Sequence, residues 1–194
     1  QSLLEMEREA YLKQSTAHYL QGFINGIAES VNTPYISTGF SKLDGVLDGG
    51  LYEGLYIVGA ISALGKTTLI TQIADQIAQG GQDVLIVSLE MARTELMAKS
   101  ISRHTAIEVL KNGGDMRNAK TTRGITTGKR YQNYSQAEQT LIKAAIEQYS
   151  SYSERLFILE GVGDIGALQV REAVNTHRNF TGRTPVVIID YLQI

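Results

Sequence analysis

Cysteine is absent from this chain of 194 residues, so a disulfide scaffold, a thiolate zinc site and cysteine-based catalysis are all excluded. Histidine is scarce, and His18, His104 and His177 are spread too widely along the chain to suggest a histidine metal cage. No apolar run is longer than a strand, which leaves nothing to span a bilayer. No secretory h-region opens the chain either. A dominant charge is also missing: 18 basic residues face 20 acidic ones, a formal charge of −2, so the whole-chain balance does not advertise nucleic-acid binding. These absences lead to the expectation of a cytoplasmic protein with no membrane partner. The remainder is ordinary globular composition, with 43% hydrophobic and 20% charged residues. The length suits one domain plus an appendage and allows a core that needs no staples. The chain begins at Gln1 rather than Met and stops at Ile194 just after a strongly apolar run, so both ends read as cuts through a longer protein.

The first 34 residues read as a helical segment. Leu3, Leu4, Met6, Tyr11, Leu12, Tyr19, Leu20, Phe23, Ile24 and Ile27 recur at steps of three and four, with Gly22 and Gly26 weakening the second half. Two readings stay open: a helix packed on its own domain, or a linker helix that docks on a neighbouring subunit. Asn32-Thr33-Pro34 breaks the pattern. From residue 35 to 194 short apolar runs alternate with amphipathic stretches. Strands are expected at Leu55–Val58, Asp83–Leu89, Leu156–Leu159 and Val186–Asp190. Helices are expected at Thr67–Ala78, Arg93–His104, Gln136–Tyr149 and Ala167–Arg178. Strands so continuously apolar are covered on both faces, which implies a mainly parallel sheet in a three-layer α/β domain. Lys111–Tyr134 stands apart. It carries six basic residues (Lys111, Arg117, Lys120, Arg123, Lys129, Arg130) against the single acid Asp115, together with four glycines and a run of threonines. It reads as a mobile surface loop, and two readings stay open: a solvated loop, or one that touches DNA with Thr121, Thr122, Thr126 and Thr127 beside its basic residues.

The most informative residues are Ala60, Ile61, Ser62, Ala63, Leu64, Gly65, Lys66, Thr67 and Thr68. They follow an expected strand and open an expected helix, the context that turns Gly-Lys-Thr into a phosphate-binding loop. Backbone N–H groups and the positive end of a helix dipole would converge there on anionic oxygens. Gly65 lets the backbone approach phosphate, Lys66 can neutralise the β- and γ-phosphates, and the Thr67 hydroxyl can be offered to Mg²⁺. The usual spacing wants glycine where Ala60 stands, and Gly59 lies one step early.

Two acids follow apolar strands. Asp190 ends Val-Val-Ile-Ile-Asp at the carboxyl edge of the sheet, where it can hold Mg²⁺ through water. Glu90 follows Asp-Val-Leu-Ile-Val-Ser-Leu at the same edge, where a carboxylate can orient and deprotonate an attacking water. On residues alone, Glu160 and Asp164 compete with Glu90 for that role and read more simply as loop acids.

These residues resemble a family. Ser37-Thr-Gly-Phe-Ser-Lys-Leu-Asp44 and Gly50-Leu51 look like the lead-in to the RecA-like ATPase domain of DnaB-type replicative DNA helicases. The loop from Ala60 to Thr68 resembles that family's P-loop, Ser88-Leu89-Glu90-Met91 its second motif, and Asp190-Tyr191-Leu192-Gln193 its Walker B motif. The likeness runs from about residue 37 to the end. It implies a three-layer RecA-like P-loop NTPase fold and a homo-hexameric ring. Such a ring hydrolyses ATP with Mg²⁺, moves along single-stranded DNA, and works with a loader or primase. By position, Ala60, Ser62, Ala63, Leu64, Gly65, Lys66, Thr67 and Thr68 would cradle nucleotide, with Lys66 and Glu90 catalytic and Thr67 and Asp190 on the metal.

Some residues depart from the pattern. Ile61-Ser62 replaces the family's Arg-Pro in the P-loop, and Lys99 stands where Arg is usual, a cation without a planar bidentate fork. The chain stops before the family's polar sensor, DNA loops and arginine finger. Two other readings remain: a RecA- or RadA-like recombination ATPase, and a regulatory or loader paralogue that binds ATP without unwinding.

Overall fold

The computed structural model describes residues 2–61, 63–161 and 165–190. Helix α1 (Leu3–Leu12) starts with a capping box in which Ser2 Oγ accepts from Glu5 N–H and Ser2 N–H donates to the Glu5 carboxylate. Helix α2 follows at Leu20–Glu29. Helices are therefore found where the three-and-four spacing expects them. No residue of either is buried, and the apolar positions from Leu3 to Ile27 are open to solvent.

The chain then makes an antiparallel bridge between Ile36 and Leu51 around α3 (Ser41–Val46). A Cβ at Gly50 would collide with the Ile36 carbonyl, so close approach demands glycine there. The lead-in motif is a hydrogen-bonded knot. Ser37 Oγ donates to Asp44 at 2.6 Å, and Thr38 donates to it through both N–H (2.9 Å) and Oγ1 (2.6 Å). These hydroxyls hold the Asp44 carboxyl below the ordinary range. Gln76 Nε2 donates to Thr38 O at 2.6 Å and ties the knot to α4 (Lys66–Gln79).

Three strands form one parallel sheet, β1 (Val84–Ser88), β2 (Leu156–Glu160) and β3 (Val186–Asp190), in the order β2-β1-β3. Central β1 is buried along its whole length, as its unbroken apolar sequence demands. The two outer strands are only partly covered. Val84, Ile86 and Ile158, with Val186 and Ile188 against them, pack into a core with Ala74, Ile77 and Ala78 of α4, Leu96 of α5 (Arg93–Lys111), and Tyr149 and Tyr152 of α8 (Gln136–Ser153). Each fully buried Val, Leu or Ile among them contributes about 1.5–3 kcal/mol. Helix α9 (Ala167–Thr181) turns His177 inward, its ring edge-on to Phe157 of β2 at 4.5 Å.

Two expectations fail. Leu55–Val58 is not a strand: among the described residues it has no ladder partner, and Leu55 and Ile57 are 88% and 86% exposed. An apolar segment without a neighbour to hydrogen-bond gains nothing that offsets the entropy of an extended backbone. Lys111–Tyr134 is not a plain loop. It folds into a 3₁₀ turn at Met116–Asn118, α6 (Thr122–Thr126) and α7 (Gly128–Gln132), set against α5.

Candidate functional site

Helix α4 runs back along the sheet. Its last residue, Gln79, is joined to β1 by only four residues, so its last turn lies near the start of that strand. It packs against β1, β2 and β3. The turn that opens it is strained as a phosphate loop requires. Gly65 caps the helix with φ +93°, and Ala63 has φ +64°. No described residue lies within 4 Å of a Cβ built on Gly65, so its glycine is set by backbone conformation. The helical ladder begins with Leu69 N–H donating to Gly65 O at 2.9 Å. The N–H groups of Thr67 and Thr68 have no helical partner among the described residues and lie at the positive end of a 14-residue helix. Ser62 lies outside the described residues.

The carboxyl edge of the sheet collects acids. Ser88 is paired in register with Glu160 on one side and Asp190 on the other, so all three strands end in one row. Leu89 N–H donates to Asp190 O at 2.8 Å. Glu90 is exposed on the bend that follows. That bend is fixed by its neighbours: Ser88 Oγ donates to Met91 O (2.6 Å) and accepts from Met91 N–H (3.2 Å). Glu160 is used differently, accepting from Arg93 N–H at 2.5 Å at the start of α5, while the Arg93 guanidinium donates to Ile158 O. Its competing claim as a base weakens accordingly; Asp164 is outside the described residues, as are Tyr191, Leu192 and Gln193.

Asp190 is 2% exposed, and neither carboxylate oxygen has a hydrogen-bond partner among the described residues. A buried, unpartnered carboxylate is costly. That donor set fits a hard divalent cation. Of the residues that sequence reasoning singled out, Glu90 and Asp190 follow strands that end in one row, and the Gly65 turn opens a helix packed on that sheet.

Sequence reasoning missed two polar clusters. At the opposite edge of the sheet, buried Asp83 accepts from Arg155 Nη1 (3.0 Å) and Arg183 Nε (2.9 Å) and pairs with His177 Nε2 (2.9 Å). Burial pushes its carboxyl up, but these three partners outweigh it and hold the group below its ordinary range. The signal was a charged residue next to a strand: Asp83 just before β1 and Arg155 just before β2. The second cluster lies between α4, α5 and α8. Asp75 meets Arg103 at 2.5 Å, and His104 Nε2 meets Tyr152 Oη at 2.6 Å. Burial raises Asp75 and depresses His104 to about 4, with Arg103 and Lys111 adding to the latter.

A parallel sheet packed against helices, and a left-handed glycine turn opening one of them with Gly-Lys-Thr, fit a nucleotide-binding α/β domain of the P-loop class. Comparison with known proteins narrows this. The chain belongs to the DnaB-like helicase C-terminal domain family, whose model matches residues 35–194. It is 26% identical over 203 residues to the replicative DNA helicase DnaB of Helicobacter pylori strain J99, covering 97% of this chain and 38% of that protein. It is 40% identical over 65 residues to the DNA repair protein RadA of Campylobacter jejuni, covering 33% of this chain and 15% of that protein. The solved structure of a DnaB-like replicative helicase, described with its interactions with primase, superposes with TM-score 0.70 at 19% identity, over 91% of this chain and 38% of that one. The fold is thus that of a RecA-like helicase domain. The chain spans well under two thirds of each of these relatives. No helix of the described residues is long and apolar enough to cross a membrane.

Proposed function

We propose that residues 35–194 are the nucleotide-hydrolysing part of a replicative DNA helicase, and that residues 1–34 are a helical linker preceding it. Two observations support this reading: a left-handed glycine turn opens α4, which packs on the sheet, and Glu90 and Asp190 follow strands that end in one row. The nucleotide is ATP, with its phosphates against Gly65, Lys66, Thr67 and Thr68 and with Ala60, Ser62, Ala63 and Leu64 completing the cradle. Thr67 and Asp190 would hold Mg²⁺, which neutralises charge on the transferring phosphoryl group when bound. Lys66 adds a fixed positive charge. Glu90 orients and deprotonates the attacking water, and its exposure leaves it accessible to one. In the whole protein this turnover drives movement along single-stranded DNA within a homo-hexamer. The relative solved with primase makes a primase a reasonable partner to test, with a loader as the other.

The short, more identical match to RadA keeps a recombination ATPase as the second reading. Against it stand the family model's coverage and the length of the helicase match.

The test pairs two variants. Lys66→Ala should abolish nucleotide binding, measured by calorimetry. Glu90→Gln should keep that binding and lose phosphate release. Unchanged affinity in the first removes the cradle; wild-type turnover in the second dismisses Glu90 as the base.

A further inference from the structure

The folded segment Lys111–Tyr134 is not used by the nucleotide site, and its charges are sorted by the fold. Lys120 turns inward. Its side chain is 12% exposed, pairs with Glu138 at 2.5 Å and lies over the Tyr134 ring at 4.6 Å. Tyr134 Oη in turn donates to Gly124 O, and Ser102 Oγ on α5 donates to Lys120 O. Thr121 Oγ1 accepts from Gly124 N–H at the start of α6. One lysine thus anchors the segment, and two more cations have acids of their own: Arg117 with Asp115, Lys111 with Glu108. That leaves Arg123, Lys129 and Arg130, all exposed, within eight residues, and with no ion pair to any described residue.

We propose that α6 and α7 form a preorganised phosphodiester-binding platform, on which Arg123, Lys129 and Arg130 hold the sugar–phosphate backbone of a nucleic-acid strand. A protein partner would need an apolar centre to bury. Among the large apolar side chains of the segment, only Met116 is exposed. A polyanion needs no such centre, only cations on a scaffold, with hydroxyls beside them. Thr94, Thr122 and Thr126 supply these, lining with Arg123 and Glu95 a shallow groove of about 390 Å³. Glu95 is the acid at this groove, and its carboxylate is engaged by Ala92 N–H at the start of α5. No exposed aromatic ring accompanies the cations, so readout is of backbone and not of base. The groove also borders the first turn of α5, four residues beyond Glu90. A strand held there lies against the helix that follows the proposed base. The choice of nucleic acid over other polyanions rests on the proposed function.

The experiment titrates the protein and an Arg123→Ala/Lys129→Ala/Arg130→Ala variant against fluorescein-labelled oligothymidylate and a labelled duplex over a salt series. Removing three cations that each neutralise a phosphate should flatten the slope of log affinity against log salt by about 2 for the single strand and about 3 for the duplex. Between about 50 and about 200 mM salt, wild-type affinity for the single strand should then fall about 20-fold more than the variant's. Arg123→Lys/Arg130→Lys should keep the slope. ATP binding should not change in any variant, which separates failure here from failure at the cradle. An unchanged slope in the triple variant overturns the platform. So does a variant whose oligomeric state shifts in sedimentation while its DNA titration does not, since that assigns the surface to protein.

Discussion

Replacing Asp190 by Asn should make the protein more stable and less able to use a metal-bound nucleotide. The carboxylate is 2% exposed, and both oxygens lack a hydrogen-bond partner among the described residues. Leaving a buried polar group unsatisfied costs about 1–3 kcal/mol, and more for a charge. Asn keeps the shape and removes the charge, so part of that cost should be recovered, about 1–2 kcal/mol. For a chain of this size each kcal/mol moves the melting temperature by about 2–4 °C, so Asp190→Asn should melt about 2–8 °C higher without ligand. Ligand reverses the order. At 100 times its dissociation constant, a Mg²⁺–nucleotide complex should add about 2.7 kcal/mol to the wild type by mass action and less to the variant. The assay is calorimetric melting with neither ligand, with nucleotide and EDTA, and with nucleotide and Mg²⁺. A variant that melts below the wild type without ligand would show that the carboxylate already has a stabilising partner. Equal stabilisation by Mg²⁺–nucleotide would remove Asp190 from the metal.

Two structural predictions stand beside it. Asp83→Ala strips the shared carboxylate from Arg155, His177 and Arg183 and should cost about 3 kcal/mol, the lower end for a broken buried pair because both arginines are partly exposed. A denaturant midpoint unchanged from wild type would refute the clamp. His104 should make stability fall as pH drops from about 6.5 towards about 4, because the unfolded chain takes up a proton in that window and the folded one does not. A depression of this size is worth at most about 3 kcal/mol. Asp75, raised by burial, titrates in the opposite sense, so the comparison must be made against His104→Gln. Parallel pH profiles for variant and wild type would remove His104 as the cause.

Much of this fold is legible because burial writes itself into residue spacing. β3 is found as read, and the start of α8 and α9 and the ends of α4 and β1 fall within about one residue of the pattern. α5 runs seven residues past His104, since Ala106–Val109 continues the apolar period and Asn112-Gly113 stops it. The misses share a cause. Leu55–Val58 has the composition of a strand, but composition records the ability to pair and not the presence of a partner. Helices α6 and α7 are five residues each, too short to nucleate alone, and depend on contacts such as Lys120–Glu138 and Tyr134–Gly124 that no local pattern contains. The Asp83 clamp joins residues up to 100 positions apart, which only the sheet register brings together.

The site was more legible than its supports, and the reason is chemical. A phosphate cradle needs a left-handed residue, a cation and a hydroxyl in succession, so Gly65-Lys66-Thr67 must be contiguous. The acids need only stand at strand ends, and a strand end is marked by where an apolar run meets a charge. Supports such as Asp83 and Asp75 answer to no such contiguity. They satisfy donors that three-dimensional packing happens to bring near, and any acid reaching the same point would serve. Chemistry that depends on adjacent residues is written in the sequence, whereas chemistry that depends on adjacent elements appears only when the sheet is assembled. The platform on α6 and α7 is an intermediate case. Its charge could be counted from the sequence, but which cations face solvent was decided by Lys120 turning inward.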